Sequence, residues 1–218
     1  MFNTWTYTRL ISGAVRRQLV AGVMATFLAC CLTAPPAGAV QYQEPATGQA
    51  AEVDIKGAKV MIPDLVLRDQ DGRRVRFYSD LIKGKVVVLS FFYTSCTYIC
   101  TMQGKLFSEL QSLLGERLGK SVFLISVTTD PVKDNPERLK AWAARYSAKP
   151  GWTLVTGEEA EMNKLLIQFT GNTAGGGMHL AATFIGNDRT GFWTSGVGVF
   201  APEELLRAVD YVALENVK

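Results

Sequence analysis

Two cysteines four residues apart are the residues of this sequence whose chemistry is easiest to define. Cys96 and Cys100 follow an apolar run, Val86 to Tyr93, and precede a stretch in which leucines recur every three or four residues. That order predicts a buried strand, a loop carrying two thiols, and a helix. Because a helix N-terminus favours negative charge, it favours the thiolate form of a nearby cysteine. Residues 96–100 are therefore predicted to do thiolate chemistry.

A third candidate residue is His179, the only histidine in the chain. It directly follows the glycine-rich segment 171–178 and stands just before a predicted strand. In an α/β sheet, a loop of this kind can lie beside the carboxyl end of the strand that precedes the cysteines. The sequence thus allows Cys96, Cys100 and His179 to form one site.

Two thiolates and an imidazole suit copper. Thiolates select Cu(I) and imidazole also accepts Cu(II), so one site could hold either oxidation state. Zinc accepts the same ligands but requires a fourth. Met178, Met102 and Asp130 are the candidates for it, and each is better explained as a structural residue. Dithiol enzymes usually have two residues between their cysteines, whereas three stand here, which favours a metal.

The charge distribution argues against nucleic acid or anionic lipid as the main ligand of the folded part. Residues 1–39 contain three arginines and no lysine or acidic residue, so the rest of the chain has 20 basic and 20 acidic side chains. A formally neutral domain provides no broad surface for nucleic acid or for anionic lipid.

The N-terminus is typical of an export signal. Arg16 and Arg17 precede an apolar run from Leu19 to Ala34, and small residues at 37–39 suit cleavage before Val40. A retained membrane anchor and a lipid-modified Cys30 or Cys31 are the alternatives, and the apolar run is short for a membrane span. We therefore predict a signal peptide over residues 1–39, a linker over 40–58 and one domain over 59–218, in a periplasmic protein or one tethered to the outer face of the inner membrane.

Removal of the signal leaves two cysteines in the mature chain. A disulfide between residues four apart would constrain little of the unfolded chain, so a purely structural disulfide is a poor explanation of the pair.

The remaining pattern predicts one α/β domain with a mostly parallel central sheet flanked by helices. A β-hairpin precedes the cysteines, three strands alternate with three helices, and a second hairpin and a helix end the chain. The strands are predicted within residues 65–77, at 86–92, 122–127 and 152–155, and within 181–199. Large apolar residues are predicted to pack in the core or the second hairpin: Trp142, Tyr146, Trp152, Phe169 and Trp193.

From about residue 63 to residue 212 the chain resembles the Sco/SenC family of copper chaperones. Three stretches carry the resemblance: residues 91–100 (FFYTSCTYIC), residues 125–139 (ISVTTDPVKDNPERL) and His179 before a strand. In two respects the chain differs from the family pattern. Thr97 and Thr101 stand where proline is common, and glycines precede His179 where acidic residues are frequent.

The resemblance implies a thioredoxin-like fold and copper bound by Cys96, Cys100 and His179. It also implies a client copper protein, such as the copper-site subunit of cytochrome c oxidase, to which copper is delivered or whose thiols are reduced. A thiol reductase is a further expected partner. The membrane is an expected partner only if the N-terminal segment is retained.

Other functions stay open at this point. A thiol-disulfide oxidoreductase would use Cys96 as the attacking thiolate and Cys100 as the resolving one, without a metal. A peroxidase is favoured only by a threonine three residues before Cys100, and a copper or redox sensor is the last alternative.

Overall fold

The computed structural model describes residues 51–55, 58–171 and 181–214, with side chains from residue 60 onward. The predicted signal peptide and His179 lie outside these ranges, which belong to one compact unit beginning at Ala46. Within them, no helix is long and apolar enough to cross a membrane.

The described residues form a nine-stranded mixed sheet, in the order β2-β1-β9-β8-β5-β6-β7-β3-β4. The strands are β1 (Ala51–Ile55), β2 (Ala58–Ile62), β3 (Val66–Asp69), β4 (Arg74–Arg76), β5 (Val86–Phe92), β6 (Val122–Thr128), β7 (Trp152–Thr156), β8 (Ala182–Asn187) and β9 (Phe192–Val197). The helices are α1 (Ile99–Leu114), α2 (Pro136–Arg145), α3 (Glu159–Thr170) and α4 (Pro202–Leu214), with a short 3₁₀ turn at Gly115–Arg117.

Strand β5 lies at the centre of the sheet and is buried at all seven positions. It pairs in parallel with β6, which pairs in parallel with β7. On its other side it pairs antiparallel with β8. The run of β5, apolar at every position except Ser90, is what a strand covered on both faces requires.

Alternate residues of β5 enter two separate cores, one on each face of the sheet. Val86, Val88 and Phe92 pack in a cluster with α1, α2 and α4. Val87, Leu89 and Phe91 pack in a cluster with α3 and the segment before β5. The sheet is thus covered by three helices on one face and one on the other, which fixes the position of the chain leaving β5.

The first turn of α2 has the N-cap asparagine and the following proline that are typical of a helix start. Asn135 is the N-cap, its side chain accepting a hydrogen bond from the backbone N–H of Arg138, and Pro136 is the first helical residue. A proline at this position loses no hydrogen bond, because the first backbone N–H groups of a helix have no partner within it. The N-terminus of α2 is therefore fixed beside the end of β6.

The predicted α/β class is confirmed, and the five large residues predicted to pack are buried. The parallel pairing is confined to β5–β6–β7 and to β1–β9, so the sheet as a whole is mixed. Strand β1 and the start of β2 lie in the stretch whose composition predicts a linker. The boundaries at residues 39 and 58 stay predictions.

Candidate dithiol and metal site

The two cysteines lie where the chain passes from β5 into α1. Cys96 is in the loop of residues 93–98, hereafter the cysteine loop, and Cys100 is in the first turn of α1. Both are buried thiols, 4% and 1% exposed, whereas Tyr98 between them is 73% exposed. A partner that approaches this end of the sheet therefore meets Tyr98 before it meets either sulfur.

The backbone places the Cys96 sulfur at the N-terminus of α1. The backbone N–H of Cys100 donates a hydrogen bond to the Cys96 Sγ, with 3.4 Å between the atoms. The backbone N–H of Cys96 in turn donates to the Tyr93 carbonyl, at 3.2 Å. Because the helix N-terminus carries partial positive charge, this position favours a negative charge on the Cys96 sulfur.

Two protonated groups hydrogen bond the Cys96 side chain. Burial, together with the hydrogen bond to Cys96, raises the pKa of the Cys100 thiol to about 12. Burial likewise raises the pKa of the Tyr93 hydroxyl to about 12, again with a hydrogen bond to Cys96. At neutral pH Cys100 and Tyr93 are therefore both donors, and Cys96 is the sulfur toward which they point.

This arrangement predicts a pH titration in which the Cys100 thiolate forms only near pH 12. Cys96→Ser removes both the sulfur that accepts the Cys100 hydrogen bond and the charge it can carry, so the pKa of Cys100 should fall below that of the wild type. Ultraviolet thiolate absorbance, recorded against pH on the reduced protein, measures the change. Thr97→Ser is the matched control, because Thr97 is an exposed neighbour in the same loop. An unchanged Cys100 titration in Cys96→Ser would contradict the hydrogen-bonded pair.

The loop after β6 lies beside the cysteine loop. The backbone N–H of Thr129 donates to the Phe92 carbonyl at 2.7 Å, which joins the ends of β5 and β6. Asp130 is 5% exposed, and its carboxylate pairs with Lys133 at 3.1 Å. Its negative charge contributes to the raised pKa of Tyr93. Asp130 thus lies near the site, already paired with a lysine.

The other candidate ligands have different positions. Met102 lies on α1 and is 39% exposed. His179 and Met178 lie outside the described residues. Within the described ranges no group of three His, Cys, Asp or Glu side chains could hold a metal ion. The set Cys96, Cys100 and His179 therefore stays a prediction.

The strand that follows His179 begins at the same end of the sheet as the cysteine loop. Strand β8 pairs antiparallel with β5, with Ser90 opposite Thr183. Ala181, two residues before Thr183, accepts a hydrogen bond from the Gly198 N–H at 2.7 Å. Since β8 runs opposite to β5, its amino end lies beside the carboxyl end of β5, where the cysteine loop begins.

Two residues at this site have no role assigned from the sequence. Tyr93 hydrogen bonds the Cys96 side chain, and Asp134 binds the cysteine loop through Thr94. The available signal was position: Tyr93 directly follows β5, and Asp134 directly precedes the N-cap of α2. Residue type alone could not reveal either contact, because tyrosine and aspartate are common at such positions.

Comparison with known proteins gives a consistent result. The sequence model of the family described as SCO1/SenC matches residues 53–182. A "SCO1 protein homolog" of Bacillus subtilis is 29% identical over 145 residues, which is 66% of this chain and 64% of that protein. The chain thus spans less than two thirds of the length of this relative.

Two solved structures share the fold. One is BsSco, described as "a member of the Sco family of cytochrome c oxidase assembly proteins" in work on a disulfide switch. It has a TM-score of 0.57 and 25% identity, and the match covers 71% of this chain and 94% of that one. The other is Bradyrhizobium japonicum ScoI with copper bound, with a TM-score of 0.55 and 22% identity over 76% of this chain and 99% of that one. The thioredoxin-like fold expected of this chain is thereby confirmed.

Proposed function

Because the chain belongs to the SCO1/SenC family, we propose that it is a copper-binding protein of that family, which holds copper through Cys96, Cys100 and His179. The copper is cargo: the protein delivers it to a respiratory copper enzyme such as cytochrome c oxidase, or reduces the thiols of that enzyme's copper site. The observation that carries the proposal is the pair of buried cysteines joined by a hydrogen bond at the N-terminus of α1.

The donor atoms fit copper. Two sulfurs four residues apart on a loop and a first helical turn suit Cu(I), which prefers thiolate ligands. A neutral imidazole extends the set to Cu(II). Binding requires that the thiols lose their protons, so copper uptake should release protons, including that of Cys100, whose pKa lies near 12.

The proposed third ligand stands two residues before a part of the chain that lies near the cysteine loop. Ala181 lies at the end of the sheet where the cysteine loop begins, and His179 is two residues from it. Two extended residues span up to about 7 Å, and a histidine side chain adds to that reach. A histidine at this position supports a site shared between the β5–α1 connection and the segment before β8.

The proposed compartment follows from the N-terminus. A signal over residues 1–39 would place the domain outside the cytoplasm, where thiols are prone to oxidation. The two cysteines would then require reduction before Cu(I) binds, and a thiol reductase is the partner that could supply it.

Metal titration tests the proposal directly. The reduced domain should bind one Cu(I) anaerobically and, in a separate titration, one Cu(II) with a sulfur-to-copper charge-transfer band. Cys96→Ser and Cys100→Ser should each lower the copper affinity and weaken that band, because each leaves only one of the two sulfur ligands. Ser95→Ala, in the same exposed loop, is the control. Copper binding of unchanged strength in both cysteine variants would refute the ligand set.

A thiol-disulfide oxidoreductase is the second candidate, favoured by the unequal environments of the two sulfurs. In that reaction the Cys96 thiolate attacks a disulfide of the partner and forms a mixed disulfide, with release of one partner thiolate. Cys100 then attacks the Cys96 sulfur, which releases the second partner thiol and leaves a Cys96–Cys100 disulfide. Reduction of a disulfide substrate by a protein that binds no copper would favour this candidate.

A further inference from the structure

The carboxylate of Asp134 joins three parts of the chain at the candidate site. It accepts a hydrogen bond from the backbone N–H of Thr94 at 2.9 Å and another from the Thr94 hydroxyl. The Thr128 hydroxyl at the end of β6 donates to it at 2.6 Å. Asp134 is 1% exposed, so these contacts are made away from solvent.

The backbone around Asp134 explains how a carboxylate can be buried here. Its own N–H donates to the Asp130 carbonyl at 2.9 Å, which closes a turn after β6. The next residue, Asn135, is the N-cap of α2. A carboxylate at a helix N-terminus is stabilised by the partial positive charge there, and three donors satisfy its oxygens. Backbone and hydroxyl donors thus accommodate the charge.

The position of Thr94 gives these contacts a consequence for the thiols. Thr94 lies two residues before Cys96 and one after Tyr93, whose hydroxyl bonds the Cys96 side chain. Asp134 therefore holds the cysteine loop at its start, against β6 and α2. A loop whose start is held by a buried charged group opens less often than one held by its own short-range bonds.

We propose that Asp134 is a positioning residue, which keeps the cysteine loop closed over Cys96 and Cys100 through its contacts with Thr94 and Thr128. The inference rests on the proposed function in one respect, that Cys96 and Cys100 are the functional residues. It applies equally if these cysteines bind copper or exchange disulfides. Asp134 itself touches neither copper nor a partner disulfide in this role.

The first test is the reactivity of the two thiols in the reduced, metal-free protein. Asp134→Asn keeps the shape of the side chain but removes the charge and one acceptor oxygen. Cys96 and Cys100 should react with iodoacetamide at least about ten-fold faster than in the wild type, the change expected when a hydrogen bond to a charged group is lost. The exchange of the Thr94 amide hydrogen, followed by mass spectrometry or NMR, should accelerate in parallel. This exchange is the deciding measurement, because the Asp134 charge also contributes to the raised pKa of Cys100 and its loss alone would speed alkylation there. Wild-type exchange of the Thr94 amide in Asp134→Asn would overturn the proposal.

Asp64 supplies a matched control. Its side chain is 2% exposed and accepts bonds from the backbone N–H groups of Tyr78 and Ser79, from the Ser79 hydroxyl and from the Arg76 guanidinium. None of these partners belongs to the cysteine loop or to β6. Asp64→Asn should lower the melting temperature without changing the alkylation rates below the unfolding transition. An equal rise in the alkylation rates of both variants would mean that Asp134 only stabilises the fold, which would overturn the proposal.

A second pair of variants keeps the test decisive if Asp134→Asn does not fold. Thr94→Val removes the hydroxyl donor and leaves the carboxylate in place, whereas Thr94→Ser retains the hydroxyl. Thr94→Val should raise the alkylation rate of Cys96, whereas Thr94→Ser should keep that rate at the wild-type value. Wild-type alkylation rates in folded Thr94→Val would overturn the proposal. Failure of copper binding in the wild type would refute the copper function and leave these thiol measurements unaffected.

Discussion

His179→Ala should lower the affinity for Cu(II) by more than about 100-fold, since loss of a group that merely orients a metal ligand already costs about 10–100-fold. Cu(I) affinity should fall less, because two thiolates remain and Cu(I) accepts low coordination. Competition with chelators of known affinity, run separately for each oxidation state, measures both losses.

The same variant separates the two candidate functions. If His179 acts only as a copper ligand, the rate at which the dithiol reacts with a small disulfide reagent should stay at the wild-type value. Thr173→Ala, a change in the same segment that removes no metal ligand, should leave both affinities unchanged. Wild-type Cu(II) affinity in His179→Ala would exclude the three-ligand site and favour the metal-free oxidoreductase.

Gly186→Ala should destabilise the fold by about 3 kcal/mol, the upper end of the usual range for overpacking. A Cβ at Gly186 would lie 2.2 Å from two ring atoms of Trp193, its cross-strand partner. That indole is 2% exposed and packs 6.1 Å from the ring of Phe169, so it has little room to move. Replacement of glycine by alanine within a strand otherwise gains about 0.5–1 kcal/mol, which is too little to offset the clash.

Denaturant unfolding of single and double variants checks this prediction. Trp193→Leu should cost less in the Gly186→Ala background than in the wild type, because the smaller side chain leaves room for the new Cβ. The resulting coupling energy isolates the contact between the two positions. If the changes in unfolding free energy of the two substitutions simply add, the Trp193 indole is not the reason that position 186 needs a glycine.

The central part of the fold could be predicted from the sequence, because the residues of each element there indicate its type without reference to the rest of the chain. The run of β5, apolar at six of seven positions, predicts burial on both faces, and an asparagine followed by a proline at residues 135–136 is typical of a helix start. The buried positions of α3 follow the predicted 3-and-4 spacing. Spacing was less reliable on α1, where Met102 and Leu113 match the apolar period but are 39% and 44% exposed.

The edges of the sheet were harder to predict. Strand β1 lies in a stretch of mixed polar and small residues, and pairs in parallel with β9, about 140 residues further along the chain. Such a pairing is decided by tertiary contacts, which propensity does not record. The roles of Tyr93 and Asp134 were hidden for a similar reason: each depends on a hydrogen bond between elements that only the folded chain brings together.

The pairing of β8 with β5 has a consequence for how this family can diverge. Five matched residue pairs, from Val86 with Asn187 to Ser90 with Thr183, fix the start of β8 independently of the length or composition of the preceding segment. Insertions, deletions and exchanges upstream of His179 are therefore tolerated by the geometry, which accommodates the glycines found there. A single residue inserted between His179 and β8 would instead lengthen the connection that ties the histidine to the sheet, by up to about 3.6 Å.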